Sequence, residues 1–234
     1  MISVCMATYN GEKYLKEQID SILYQLNSND ELIISDDGST DGTIEIIEGY
    51  NDKRIKLHKN SFHNLIKNFE YALTQASGDY IFLCDQDDMW VSNKVRVVCE
   101  KLIHYDLVVS DCRVVDEQLN TMIPSFFQLR GSGEGFWKNL YRNTYLGCCM
   151  AFRRSLLKVI LPFPADIAMH DIWIGLVAEK TGRVTFVPQQ LVYYRRHGNN
   201  ASPTGEKSRY GLKYRFWYRW VMLRNIIKRL RHSI

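Results

Sequence analysis

Three carboxylates, Asp85, Asp87 and Asp88, crowd the stretch Cys84-Asp85-Gln86-Asp87-Asp88-Met89-Trp90, directly after the strand-like run Tyr80-Ile81-Phe82-Leu83. Carboxylates this close repel one another and resist ionising together unless a cation or a set of donors compensates. Hard oxygen ligands at a strand end suit Mg²⁺ or Mn²⁺, and a divalent ion there suits a bound diphosphate. A solvated acidic turn is the plain alternative, so the weight falls on the rest of the chain. A second cluster, Asp36-Asp37-Gly38-Ser39-Thr40-Asp41-Gly42, follows the apolar Leu32-Ile33-Ile34 and precedes a helical stretch from Thr43. Strand, acidic glycine-containing loop and helix form the layout of a nucleotide site at the C-terminal edge of an α/β sheet. Asp36 and Asp37 are then available to a base or ribose, while Ser39, Thr40 or Asp41 caps the helix.

The elements that must position these groups are legible as alternating units. Ile2 to Ala7 reads as a buried strand, Thr8-Tyr9-Asn10-Gly11 as a turn, and Glu12 to Leu26 as a helix with Leu15, Ile19, Ile22, Leu23 and Leu26 on one face. Arg54 to His58 leads into a helix over 64–77, Asp79 to Cys84 leads into a helix over 91–104, and Leu107 to Ser110 is a further strand. Such alternation implies an α/β fold with a largely parallel sheet covered by helices. Right-handed crossovers bring the loops at Thr8, Asp36 and Asp85 to one sheet edge, where they form a cleft.

Composition bounds the alternatives. A chain of 234 residues with 46% hydrophobic content buries one good core, which fits a single domain. No apolar run approaches the length of a bilayer span and no secretory signal opens the chain. The six cysteines show no metal-type spacing and read as small buried hydrophobes, for which a reducing cytoplasm is the natural compartment.

Ala7-Thr8-Tyr9-Asn10-Gly11, Ser35-Asp36-Asp37-Gly38-Ser39-Thr40-Asp41 and Asp85-Gln86-Asp87-Asp88 resemble, in order and spacing, three N-terminal signatures of the family-2 glycosyltransferases. The likeness extends to His170-Asp171-Ile172-Trp173 and to Tyr193-Tyr194-Arg195-Arg196-His197-Gly198-Asn199-Asn200, which resemble the acceptor-side and closing motifs of bacterial rhamnosyltransferase-like members. The resemblance covers roughly residues 1 to 200. It implies a GT-A fold: Rossmann-like, with a mostly parallel central sheet flanked by helices. The catalytic domain is expected over 1–206, with a nucleotide-sugar half at 1–110 and an acceptor half at 111–206.

The same resemblance implies inverting, metal-dependent transfer of a sugar from a nucleoside-diphosphate sugar to a hydroxyl of a cell-envelope polysaccharide or lipid-linked glycan. Single displacement needs no covalent sugar–enzyme intermediate. Thr8, Tyr9, Asn10, Asp36, Asp37, Asn68, Asp85, Gln86, Arg195 and Arg196 are expected against the donor nucleotide and its phosphates. Asp87, Asp85 and His197 are expected to hold Mn²⁺ or Mg²⁺. Asp171 is the expected general base, because an acceptor hydroxyl is a poor nucleophile until a positioned carboxylate takes its proton. His170 and Trp173 are expected to touch the acceptor. The structural alternative for Asp171 is to cap a helix over 172–180.

The closing motif and Asp85 to Trp90 favour dTDP-rhamnose as donor, with a UDP-hexose as the alternative. Two other classes stand beside this one: a sugar-nucleotide-binding scaffold without turnover, and a sugar-1-phosphate nucleotidyltransferase. The turn Thr8-Tyr9-Asn10-Gly11 lacks the glycine-rich basic loop with which the latter opens. Gly147-Cys148-Cys149-Met150-Ala151 fits the family's small-residue strand beside the donor sugar. Ser125 to Asn143 matches no family motif and reads as a mobile acceptor-side loop.

Charge is uneven along the chain. The tail 207–234 carries nine Lys and Arg residues and no acid, so with +4 overall the preceding residues sum to about −5. Leu212, Phe216, Trp220, Leu223, Ile227 and Leu230 recur at helical spacing between Lys213, Arg224, Lys228 and Arg231 on one side and Arg215 and Arg219 on the other. Such a basic amphipathic helix suits an anionic membrane surface. That would make the protein peripheral on the inner face of the cytoplasmic membrane. The stripe equally suits packing on the catalytic domain or between two copies in a homodimer. A nucleic-acid partner is disfavoured, since nothing else reads as a base-reading element. Pro203, Gly205 and Gly211 make 201–211 a hinge.

Overall fold

The computed structural model describes residues 1–198 and 211–231. Asn199 and Asn200, the hinge expected over 201–211 save its last residue, and the basic Lys207 and Arg209 lie outside the described residues.

Strands β1 (Ile2–Thr8), β2 (Glu31–Asp36), β3 (Ile55–Lys59) and β4 (Tyr80–Asp85) pair in parallel in the order β3-β2-β1-β4. Every residue of β1 and β2 is buried. That explains their unbroken apolar runs, since a parallel strand covered on both faces has no solvent side to alternate toward. Helix α1 (Leu15–Leu23) buries Leu15, Ile19 and Ile22, and α3 (Leu65–Gln75) buries Phe69, Ala72 and Leu73. The shorter α2 (Thr43–Glu48) and α4 (Lys94–Leu102) complete the crossovers.

Beyond β4 the sheet becomes mixed. β8 (Met150–Arg153) is inserted between β4 and β6 (Leu107–Val115), antiparallel to both. β9 (Val184–Arg195) runs parallel to β6, and the short β5 (Met89–Trp90) pairs antiparallel with it. β7 (Thr121–Ile123) flanks β6. This half of the sheet has one purpose for the site: β9 and β5 hold the closing motif against the acidic loop.

The expected loop over 125–143 is instead two short helices, α5 (Phe126–Arg130) and α6 (Phe136–Tyr141). Ser125 caps α5 by accepting from the Gln128 N–H, and Gly131 ends it at φ 64°, a left-handed conformation that favours glycine. Glu179 accepts from the Gly135 N–H, and Asn139 donates to the carbonyls of Gly133 and Gly135. These ties make the segment part of the body. Helices α7 (Leu157–Ile160) and α8 (His170–Thr181) follow, α8 being buried along most of its length.

Helix α9 (Leu212–Arg231) packs on the body, with Leu223 and Leu230 of the expected stripe at the contact but its aromatic members outside it. Val221, Met222 and Ile226 make the buried line, whereas Phe216, Trp220 and Ile227 are 68%, 58% and 43% exposed. The helix carries two apolar lines, and the one with smaller side chains fits the body. Arg219 donates to the carbonyls of Leu140 and Tyr141, Asn225 to Asp166, and Arg229 to the carbonyls of Val159 and Leu161. No helix among the described residues is long and apolar enough to cross a membrane.

Candidate active site

Register alone brings the expected loops together, because Thr8 lies beside Asp36 on one side and Ala7 beside Asp85 on the other. Above this edge is a cavity of about 440 Å³. Thr8, Tyr9, Asp37, Asn68, Asp85, Gln86, Asp87, His170 and Asp171 all line it. The Gln86 amide accepts from the Tyr9 N–H at 2.8 Å and donates to the Tyr9 carbonyl at 3.0 Å, locking the first and third loops together. Asp37 accepts from the backbone N–H groups of His63 and Asn64, which brings the entry to α3 into the wall. Asn68 donates to the Thr8 carbonyl, while its buried Oδ1 has no partner. Gly147, expected beside the donor sugar, and Tyr194 of the closing motif line it too, whereas sequence reasoning missed His63, Asn64 and Met169. The one signal for them was Asn64, whose side chain caps α3 by accepting from the Lys67 N–H.

Other expected residues stand elsewhere. Asp36 is not free for a ligand: it accepts from Thr8 Oγ1, the N–H groups of Gly38 and Ser39, and Ser39 Oγ. It shapes the loop from behind. Asn10 does likewise, accepting from the Thr40 N–H. Asp41, just before α2, accepts from the Thr43 N–H and hydroxyl, but the N-cap of that helix is Gly42 rather than Ser39, Thr40 or Asp41. Trp173 is fully buried and donates to the Ile160 carbonyl, so it is a core residue away from the cavity. Asp88 is fully buried and accepts from the Arg195 N–H. Arg196 is half-buried, and its backbone N–H donates to the Val115 carbonyl.

Arg195 is 2% exposed and acts on the acidic loop rather than lining the cavity. Its guanidinium donates to the carbonyls of Asp87 and Glu117 and to Glu17, and lies 4.5 Å from the centre of the Tyr14 ring. Replacing it with Met should cost about 2 kcal/mol or more, as several buried acceptors lose charged donors. Urea denaturation measures that loss. A side chain used only for phosphate would leave stability unchanged and lower donor affinity alone.

His197 Nε2 lies 2.7 Å from Asp87 Oδ2, so the last expected metal ligand does meet the acidic loop. Asp85 groups instead with Asp88 and Cys148, whose ligand atoms lie within 4.8 Å of one another. Withdrawal from water, then the charges of Asp87 and Asp171, push Asp85 up to about 8. Asp88 is pushed well up by burial and by Asp87 and Asp85, and its Oδ2 has no hydrogen-bond partner. Buried carboxylates that repel one another, one with an orphaned oxygen, fit a hard divalent cation.

Without such an ion these groups favour their protonated forms. The folded chain holds the Asp85 proton to higher pH than the unfolded chain does, so its contribution to stability is present at low pH and is lost as pH rises toward about 8. Asp85→Asn in metal-free buffer should therefore raise the thermal midpoint near pH 8 and change it little near about pH 4, where Asp is half-titrated in an unfolded chain. Thermal melts at the two pH values check this. An equal shift at both would mean that a lost contact, not charge, governs the site.

Asp171 stands in the first turn of α8, its Oδ1 accepting from its neighbour's N–H at Ile172. Burial raises its carboxyl to about 7, against the opposing effect of that backbone bond. His170 stacks on Phe69 at 4.1 Å and both of its ring nitrogens lack partners. Burial lowers its pKa to about 3, so it is a neutral imidazole. A Cβ at Gly147 would lie 3.1 Å from His170 Nε2, so glycine there leaves room for this ring.

The glycosyl transferase family 2 model matches residues 3–161, which hold all but the first residue of β1, the elements on to β8 and the loops at Thr8, Asp36 and Asp85. The chain belongs to that family. It is 36% identical over 186 residues to the UDP-Glc:alpha-D-GlcNAc-diphosphoundecaprenol beta-1,3-glucosyltransferase WfgD of Escherichia coli, covering 76% of this chain and 70% of that one. It is 26% identical over 247 residues to the dTDP-rhamnosyl transferase RfbG of Shigella flexneri, covering 92% of this chain and 81% of the relative. Its fold is similar to that of S. aureus TarS in complex with UDP-GlcNAc, with a TM-score of 0.74 at 20% identity over 97% of this chain. The chain spans 66% of that TarS chain. This family-2 glycosyltransferase has the GT-A fold and is an enzyme of sugar transfer from a nucleotide sugar.

Proposed function

We propose that this glycosyltransferase moves rhamnose from dTDP-rhamnose onto a hydroxyl of a lipid-linked cell-envelope glycan, with inversion and in one displacement. The observation that carries the reading is that Asp85 and Asp87, at the end of β4, share one cavity with Asp171 of α8. A donor diphosphate and an acceptor hydroxyl are thereby given carboxylates from two different elements of one cavity. Thr8, Tyr9, Asp37, Asn68 and Gln86 line the nucleotide end, the partnerless Asn68 Oδ1 being available to a ribose or base donor. Asp85 and Asp87, with His197, would hold Mn²⁺ or Mg²⁺. When bound, the ion neutralises charge developing on the leaving diphosphate as a Lewis acid. Arg195 serves this site by holding the Asp87 carbonyl and the Asp88 carboxylate.

Asp171 takes the acceptor proton. A carboxylate near 7 is a stronger base than an exposed one and is still ionised in part at neutral pH. Activity should therefore rise with pH through about 7, as Asp171 loses its proton, when kcat is followed across pH. An acid limb confined to the ordinary carboxylate range would contradict this. His170, neutral and partnerless, presents a donor or acceptor to an acceptor hydroxyl.

Rhamnose rests on the closing motif and on the likeness to RfbG. The likeness to WfgD favours a UDP-hexose as the second reading, and its diphosphoundecaprenol acceptor supports a lipid-linked one. Nucleoside-diphosphate release from each donor, with the anomeric configuration of the product read by NMR, separates them. Release of pyrophosphate would instead mark a nucleotidyltransferase, and no turnover a scaffold. Residues 1–206 make the catalytic unit, with the donor half at 1–110, the acceptor half at 111–206 and a basic extension at 207–234. The enzyme works peripherally on the cytoplasmic face of the membrane, a reading supported by its free cysteines and the basic α9.

A further inference from the structure

We infer that the surface meeting the membrane is a composite of α6 and α9, an aromatic and cationic face fitted to anionic lipid, rather than the tail helix alone. This rests on the peripheral-membrane reading above and extends it to a part of the chain far from the tail in sequence. Trp137 and Tyr141 of α6 are 65% and 68% exposed. Four residues apart, they stand on one face of the helix. Trp217 and Trp220 of α9 are exposed as well.

The two sets are physically continuous. The Arg219 guanidinium lies 4.9 Å from the centre of the Tyr141 ring and 5.4 Å from that of Tyr218. Phe216, 68% exposed, lies three residues before Arg219 and four before Trp220, so it joins Arg219 to Trp220 along the exposed side of α9. Single exposed aromatics need no explanation, but a connected run does. Trp and Tyr are the side chains suited to a bilayer interface, with an apolar body and a polar tip.

Charge decides the occupant. Lys138 on α6, Arg142 just after it, and Lys213, Lys228 and Arg231 on α9 are all exposed. Neither helix contains an acid. A second copy docked on this face would set cations against cations, whereas an anionic leaflet pairs with them. Because α9 is fixed to the body by Arg219, Asn225 and Arg229, the face is rigid, and contact through it orients the whole catalytic domain on the surface.

The test uses the intact chain with vesicles of phosphatidylcholine alone or mixed with phosphatidylglycerol, followed by co-sedimentation. Trp137→Ser with Tyr141→Ser, and separately Trp217→Ser with Trp220→Ser, should each weaken partition to the mixed vesicles about tenfold or more, from the apolar area removed. Tyr24→Ser, an exposed aromatic outside both helices, should change nothing. Thermal melts establish that the variants fold, and Lys138→Glu with Arg142→Glu gives the same answer through charge. If the α9 pair weakens binding and neither α6 pair does, the membrane reading stands and the composite face is wrong. If the intact chain never sediments, the membrane reading itself fails. Lipid-free self-association that the α6 pair abolishes would make the face a dimer interface and overturn the proposal.

Discussion

Asp171→Asn should lower kcat by about 10²-fold or more while leaving donor affinity roughly intact, the loss expected of a general base. Asparagine keeps the shape and can still accept from the Ile172 N–H, so the start of α8 is preserved. What it removes is the charge. Burial holds Asp171 near 7, and its ionised form also raises Asp85. The folded state therefore carries an energetic cost above that pH that the variant escapes, and at about pH 8 the variant should be more stable than the native chain. Less active and more stable is the signature of a buried catalytic base. A helix cap would give the reverse, with lower stability and unchanged kcat in the folded fraction. Steady-state kinetics, donor titration and a thermal melt on the same sample separate the two.

Asp87→Asn should nearly abolish transfer, while Asp85→Asn should weaken donor binding first. Asp87 lies at the cavity with its Oδ2 2.7 Å from His197 Nε2, an oxygen–nitrogen pair that could serve one ion. Asp85 sits deeper among Asp88 and Cys148, where its charge is costly without a cation. Removing one carboxylate from a site with so few ligands leaves the diphosphate charge poorly matched. Donor titration with and without Mn²⁺ should show a metal-dependent affinity in the native chain that Asp87→Asn loses. Full activity in excess EDTA would end the metal-dependent mechanism.

The donor side was readable because parallel strands put their loops in register. Once Ile2 to Ala7, Leu32 to Ile34 and Tyr80 to Leu83 were read as strands, the right-handed crossover placed Thr8, Asp36 and Asp85 together, and Thr8 does pair with Asp36. Strand order beyond β4 was not readable. The four-residue β8 has no pattern that says it must split β4 from β6, and the β6–β9 pairing joins segments about 80 residues apart.

Side-chain direction accounts for the misplaced site residues. Trp173 is two residues past Asp171 on a helix, which turns it to the opposite side and into the core. Arg195 and His197 lie on one side of an extended segment, so both reach Tyr14 and the Asp87 loop. Asp36 looked free because three of its four donors are local, from Gly38 and Ser39, folding the loop onto itself. On α9 the large aromatics dominate the apolar pattern, but the smaller Val221, Met222 and Ile226 make the contact.

The central claim is that the cavity between the acidic loop and α8 takes a nucleoside-diphosphate sugar beside a divalent cation. Saturation-transfer NMR with dTDP-rhamnose and UDP-glucose, with and without Mg²⁺, tests it most directly. The predicted result is saturation of the nucleotide and sugar protons of one donor, strengthened by Mg²⁺ and lost in Asp87→Asn. Saturation of neither donor in the presence of Mg²⁺, or equal binding to the native chain and to Asp87→Asn, would contradict it.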